Sequence, residues 1–252
     1  MEKMLLRPNH PPTPKQNHFP AALPAADYER LLPQLELVRL PLHWVVYGSP
    51  SEQGYVFFPT TSIVSLFYAV QDGSSAEIAV VGNEGVVGMA LFMGGDFTPS
   101  RAIVQSAGSG FRLRASVLIA EFGNSGELQH LLLRYTQALI TQMAQTAVCN
   151  RHHAIQQQLC RWLLLSLDRL PSRELTMTQE LIANMLAVRR DGVTEATAKL
   201  QAEGLIHYSR GKITVLDRAK LEAGVCECYA IVKRAYDRLL SPAVSRLNTA
   251  GC

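Results

Sequence analysis

Two arginines, Arg189 and Arg190, stand side by side in the stretch ELIANMLAVRRDGVTEATAKLQAEGLI, residues 180–206, and are followed by Asp191, Thr194 and Glu195. A guanidinium is a planar fork of N–H donors, a carboxylate accepts hydrogen bonds, and a hydroxyl does both. On a helix, positions three and four apart share a face, so these groups would be presented together to whatever polar edge lay beside them. A second basic pair, Arg210 and Lys212, follows in LIHYSRGKITVLD. Four cations on two neighbouring elements suit an anionic partner.

The flanking pattern says how these groups are held. Thr178 is a good helix cap, with Glu180 in the first turn where the helix dipole favours a negative charge. Leu181, Ile182, Met185 and Leu186 then make one apolar face over about two turns. Ala187 and Val188 allow a tight corner, and a second helix is expected from near Arg189 to Gly204, which accepts the left-handed conformation at a helix end. On that helix Val193, Ala196, Thr197 and Leu200 fall on one side, and Asp191, Thr194, Glu195 and Ala198 on the other, with Arg190 beside them in the first turn. One face packs while the other is free to read. Such a helix fits the major groove of double-stranded DNA, and its N-terminal residues are the ones that reach base edges. The next stretch reads as two strands, 205–208 and 212–216, joined by a turn around Ser209 to Gly211. Helix, turn, helix and basic hairpin make a winged helix whose wing contacts phosphate.

The whole chain is compatible with that reading without proving it. At 252 residues and 48% hydrophobic content it can bury one large or two modest cores. A net charge of +3 is too small to mark a nucleic-acid binder, so any positive field must come from local clustering. Five scattered cysteines, an odd number, point to reduced thiols and a cytoplasmic location. No run approaches the roughly 18 apolar residues of a membrane span, and MEKMLLRPNHPPTPKQNHFP lacks a signal-peptide core. With no phosphate loop, nucleophile elbow, paired acids or complete metal-ligand set, the chain is expected not to be an enzyme, and to need no cofactor.

Along the chain, the Pro- and Asn-rich residues 1–24 are expected to form a mobile arm. Residues 25–125 carry short apolar or alternating runs separated by Gly, Ser, Pro, Asp or Asn, the rhythm of antiparallel strands in a compact sandwich or barrel. Residues 126–151 read as one long helix in which Leu128, Leu132, Tyr135, Leu139, Gln142 and Thr146 recur at spacings of three and four. That seam suits a dimer, and it equally suits packing on the strand domain of the same chain. Residues 152–252 hold the winged helix and an additional helix capped by Asp217.

The order of strand-rich domain, long seam helix, and TQELIANMLAVRRDGVTEATAKLQAEGLI with its wing resembles the Crp/Fnr superfamily of bacterial transcription regulators, from about Leu31 to Leu216. The resemblance implies an α+β architecture: an N-terminal antiparallel β-roll of the cyclic-nucleotide-binding, jelly-roll type, a long dimerisation helix and a C-terminal winged helix-turn-helix. It implies a homodimer on palindromic double-stranded DNA, with RNA polymerase as a further partner. By position, Arg190, Asp191 and Glu195 match the family's base-reading residues. Arg190 keeps the family arginine, whose fork suits guanine O6 and N7, and Asp191, shorter than the usual glutamate, could accept from a cytosine amine. Glu195 stands where an arginine is common, which bears on the half-site sequence. Arg189 replaces a frequent serine cap and is assigned to phosphate with Arg210 and Lys212.

GNEGVVGMALFMGGDFTPSRAIVQ, residues 82–105, resembles the family's phosphate-binding cassette. Gly85 and Gly88 stand in the expected places, but the glutamate position is Met89, and Arg101 falls in SRA rather than before serine or threonine. Without that carboxylate a ribose hydroxyl loses its acceptor, so the expectation is a ligand other than cyclic AMP, or constitutive activity. The rival function is a small-molecule-binding signalling protein whose C-terminal unit serves protein interaction. Cys149 and His153 are four apart, with His152 beside them; two ligands do not complete a metal site, and a polar helix surface is expected there. Cys226 and Cys228 form a C-x-C that could oxidise or bind metal and is expected to be partly buried.

Overall fold

The computed structural model describes residues 12–47, 54–69, 71, 75–94, 100–124 and 126–239. Strands β1 (Glu36–Leu40), β2 (Val45–Tyr47), β3 (Tyr55–Pro59), β4 (Ile63–Ala69), β5 (Ser75–Val81), β6 (Ser100–Ser106) and β7 (Gly108–Arg114) build the N-terminal roll. They form two antiparallel sheets, β1-β7-β3 and β2-β6-β4-β5. The β-branched and aromatic residues of these strands face one another across the roll, where Val56, Phe58, Ile63, Val64, Val81, Val104 and Leu113 are buried. The expected strand-rich domain is therefore present.

Helices α1 (His18–Ala22) and α2 (Ala25–Leu31) precede the strands, and α3 (Met89–Phe92) and α4 (Ala115–Gly123) are embedded among or just after them. Residues 12–24 of the arm expected to be mobile are folded against the rest of the chain. Asn17 is buried and donates to the carbonyls of Pro59 at 2.7 Å and Gly85 at 2.8 Å. Phe19 is buried beside Phe58 and Tyr135. One amide with two carbonyl acceptors and one aromatic anchor outweigh the proline-rich composition, because their partners are supplied by the roll and by Tyr135 of the long helix that follows it. Residues 1–11 and 240–252, including Cys252, lie outside the described residues.

Helix α5 (Glu127–His152) extends about 39 Å at 1.5 Å per residue. Leu128, Leu132, Tyr135, Leu139, Gln142 and Thr146, the seam suited to either a dimer or the same chain, are all buried within their own chain. Tyr135 donates to the Val86 carbonyl at 2.9 Å and Gln142 to that of Val80 at 3.0 Å, so this face docks on the roll. A second, narrower stripe faces outward: Leu133 and Ile140 are about half exposed, seven residues apart, with Ala147 seven further and Val148 beside it.

After α5 the chain is extended for two residues, His153 and Ala154, before α6 (Ile155–Leu167). Residues 158–167 of α6 are buried throughout, making it the central beam of the C-terminal domain. Helices α7 (Gln179–Leu186) and α8 (Arg190–Ala202) and the antiparallel sheet of β8 (Glu174–Thr176), β10 (Lys212–Val215) and β9 (Ile206–Ser209) surround it. The additional helix expected after Asp217 is two helices, α9 (Arg218–Gly224) and α10 (Glu227–Leu239), broken at Val225 and Cys226. The two domains are tied by buried polar contacts: Arg169 to Glu84 at 2.7 Å and Trp162 Nε1 to Glu77 at 3.1 Å.

Candidate nucleic-acid interface

Helix α7 begins at Thr178, whose hydroxyl accepts from the Leu181 amide at 3.2 Å. Its apolar side, Ile182, Ala183, Met185 and Leu186, is buried. It ends at Ala187, which adopts φ +53°, a left-handed turn that lets the chain reverse within three residues. Arg189 is the N-cap of α8 and puts no side-chain oxygen on the first-turn N–H groups. The electropositive end of that helix is left to an outside acceptor.

Along α8 the burial follows the helical period. Val193, Ala196, Thr197 and Leu200 are buried, whereas Arg189, Arg190, Asp191, Thr194, Glu195, Ala198 and Lys199 are exposed. Thr194 donates to Gln179 Oε1 at 3.0 Å, and Gln179 Nε2 reaches Thr197 Oγ1 at 3.4 Å, so α7 fixes the rotation of α8 through polar contacts as well as packing. Gly192 faces Ile155 of α6 so closely that a Cβ there would lie 2.5 Å from its Cδ1. Helix α8 closes at Ala202; the amides of Gly204 and Leu205 bond back to Gln201 and Leu200, at 2.9 Å each.

Glu195 is paired with Lys199 at 2.8 Å, one turn on. The hydrogen bond from Lys199 holds the Glu195 carboxyl below its ordinary range, so it presents acceptors at neutral pH. Lys199 and Gln179 were absent from the sequence-based set. The Glu-to-Lys spacing of four could have revealed the first, but nothing local signals the second.

The wing is a two-residue hairpin. Arg210 at φ +50° and Gly211 at φ +73° both lie in the left-handed region, the requirement of a type I′ turn. Ile213, Val215 and Ile206 are buried beneath it, and the Met177 amide bonds to the Gly211 carbonyl at 2.7 Å, tying the wing tip to the strand that leads into α7. Arg210 and Lys212 are exposed. Among the described residues, no carboxylate lies within ion-pair distance of Arg189, Arg190, Arg210 or Lys212. An exposed, unpaired set of four cations on a helix end and a hairpin tip can neutralise phosphates while the helix face meets base edges.

The sensor-side candidates are spread apart. Gly88 and Met89 line a cavity of about 60 Å³, together with Tyr47, Leu66, Tyr68, Val86, Leu139 and Met143. Ligand pockets run to roughly 300 Å³ and above, so this space is far too small for a nucleotide. Gly85 serves packing: a Cβ there would lie 2.4 Å from the Tyr135 ring. Arg101 is exposed on β6, opposite Phe67 of β4, and is not among the cavity's lining residues. Glu84 of this stretch is buried and committed to Arg169. The thiols differ from the sequence expectation too. Cys149 is fully buried rather than on a polar surface, and it comes together with His153, Cys226 and Cys228.

Residues 157–223 match the Crp-like helix-turn-helix domain family. No curated protein matches the chain in sequence. Among solved structures, a Crp/Fnr-family protein from Eubacterium rectale superposes with a TM-score of 0.65 at 17% identity, covering 82% of this chain and 98% of that one. The c-di-GMP responsive global regulator CLP from Xanthomonas campestris gives 0.61 at 17% identity, covering 77% of this chain and 100% of that one. A CRP-family transcriptional regulator from Thermus thermophilus gives 0.61 at 20% identity, with 74% and 95% covered. The chain has the fold of Crp/Fnr-family regulators, with a Crp-like helix-turn-helix domain. Its segment 157–223 matches the Crp-like helix-turn-helix domain, and the α+β arrangement of roll, long helix and winged helix has the fold of the Crp/Fnr-family structures.

Proposed function

We propose that this protein is a transcription regulator that binds a palindromic operator as a homodimer, with α8 in the major groove. The observation that carries the reading is the exposed face of α8, where Arg190, Asp191, Thr194 and Glu195 stand over a buried face, flanked by the unpaired cations Arg189, Arg210 and Lys212. In this reading Arg190 reads guanine, Asp191 and Glu195 select bases with amino donors, and the other three cations hold phosphates. Thr178 sits at the start of α7, beside the groove wall, with its hydroxyl engaged in the cap.

The dimer uses the outward stripe of α5, Leu133, Ile140, Ala147 and Val148, whose heptad spacing suits pairing with the same stripe of a second copy. Two recognition helices would then enter successive major grooves about 34 Å apart. Regulation does not run through cyclic AMP: the cassette lacks its carboxylate, and the cavity behind it is about 60 Å³. RNA polymerase is the further partner this role requires, and no helix among the described residues is long and apolar enough to cross a membrane.

Fluorescence anisotropy with a labelled duplex from the gene's own upstream region tests the proposal. Tight binding should fall steeply with salt and vanish on deletion of residues 154–252. Binding that survives the deletion, or indifference to every duplex at low ionic strength, removes it.

A further inference from the structure

Four side chains from two distant segments converge beside the break between α5 and α6. Cys149 lies in the last turn of α5 and His153 caps that helix; Cys226 lies in the break between α9 and α10, and Cys228 in the first turn of α10. Cys149 Sγ is 3.6 Å from Cys226 Sγ, and Cys228 Sγ is 3.6 Å from His153 Nδ1. All four potential ligand atoms lie within 4.8 Å of one another.

These dimensions fit a mononuclear tetrahedron. With metal–sulfur bonds of about 2.3 Å and metal–nitrogen bonds of about 2.0–2.1 Å, the edges of such a site measure about 3.4–3.8 Å. The two edges above already match. An iron–sulfur cluster spreads its four protein ligands over two or four irons, so the set as a whole needs wider spacing than this. Three sulfurs and one imidazole form a soft donor set, suited to zinc over magnesium or calcium.

The surroundings support the same assignment. All three cysteines are buried. The outer nitrogen of His153, Nε2, lies 3.4 Å from Glu227 Oε2, so a carboxylate stands where it would orient an imidazole ligating through Nδ1. Three thiolates around a divalent ion leave one negative charge. Arg161, buried and donating at 3.1 Å to Thr146, three residues before Cys149, supplies a nearby positive charge to balance it.

We propose that Cys149, His153, Cys226 and Cys228 form a closed, structural-type site for a zinc-class divalent cation, with Glu227 positioning the histidine. The ion would fasten the end of α5 to the α9–α10 break across the extended residues His153 and Ala154, and so fix how the DNA-binding domain hangs from the long helix. Binding displaces the thiol protons, so affinity rises with pH. The assignment stands independently of whether the protein binds DNA.

The test uses the full-length protein, purified without chelator under reducing conditions. Elemental analysis should find one zinc per chain. Cobalt(II) loaded after chelation should give the intense visible absorption of a tetrahedral thiolate site, bleached by zinc. Cys228→Ser and His153→Ala should each weaken zinc binding by more than about 100-fold, and Glu227→Gln by about 10–100-fold, whereas Cys160→Ser, a buried thiol outside the cluster, should retain the ion. Circular dichroism on each variant separates loss of metal from loss of fold, and the exposed Glu227 variant remains informative if the buried ones misfold. Wild-type protein that takes up neither zinc nor cobalt, a Cys149–Cys226 disulfide persisting in reductant, or full metal retention by Cys228→Ser and His153→Ala overturns the proposal.

Discussion

Replacing Arg210 with glycine should move stability and DNA affinity in opposite directions. Arg210 sits at φ +50° in a two-residue turn, and a left-handed L-residue is disfavoured by about 1–2 kcal/mol. Glycine relieves that strain but adds back about 0.5–1 kcal/mol of backbone entropy to the unfolded chain. The net gain is about 0.5–1 kcal/mol, or a rise in Tm of about 1–4 °C for a chain of this size. Loss of the guanidinium removes one phosphate contact per protomer, so the slope of log K against log salt should flatten by about 1.8 per dimer. Arg210→Ala separates the terms, since it gives the same salt effect with no gain in stability. Thermal unfolding by differential scanning fluorimetry and salt-titrated anisotropy read both. A destabilised glycine variant would show that the hairpin is not the I′ turn described, and an unchanged salt slope would remove the wing from the phosphate backbone.

Four further outcomes follow from other parts of the molecule. Arg190→Ala should cost about 1–3 kcal/mol on the cognate operator and far less on random duplex, measured by competition binding; equal losses would refute a base contact. Burial pushes the Glu77 carboxyl up to about 8, so the stability it confers is complete below about 4.5 and declines as pH rises through about 8, at up to about 1.4 kcal/mol per pH unit. Glu77→Gln should flatten that decline in urea melts between pH 6 and 9 while keeping an acceptor for Trp162; an undiminished slope would place the titration elsewhere. Ile140→Glu, on the outward stripe of α5, should yield folded monomers by analytical ultracentrifugation, and a persisting dimer would move the interface off this stripe. Gly85→Ala should destabilise by about 1–3 kcal/mol, because the Tyr135 ring that its Cβ would strike is anchored to the Val86 carbonyl; an unchanged Tm would contradict that packing.

The reading helix was legible because both of its faces leave a local mark. The period that buries Val193, Ala196 and Leu200 also exposes Arg190, Asp191 and Glu195, and a wing with glycine at Gly211 announces its own turn. What local pattern does not say is what a buried face packs against. In α5 the stripe through Tyr135 and Leu139 meets its own roll, and the outward one through Leu133 and Ile140 is too sparse in apolar residues to stand out beside it. The ordered segment around Asn17 and Phe19 was hidden for the same reason, since its partners Pro59, Gly85 and Tyr135 are far along the chain. The cluster of Cys149 with Cys226 is of the same kind: each half taken alone is an incomplete site, and only folding puts the halves together.

Whether the exposed face of α8 reads base sequence is decided by selecting bound duplexes from a random pool with the full-length protein and with Arg190→Ala. The wild type should enrich an inverted repeat with half-site centres about 10–11 base pairs apart, roughly one helical turn. The variant should lose preference at a single symmetric guanine position. No enrichment by the wild type, or an identical motif recovered by the variant, would take base reading away from this helix.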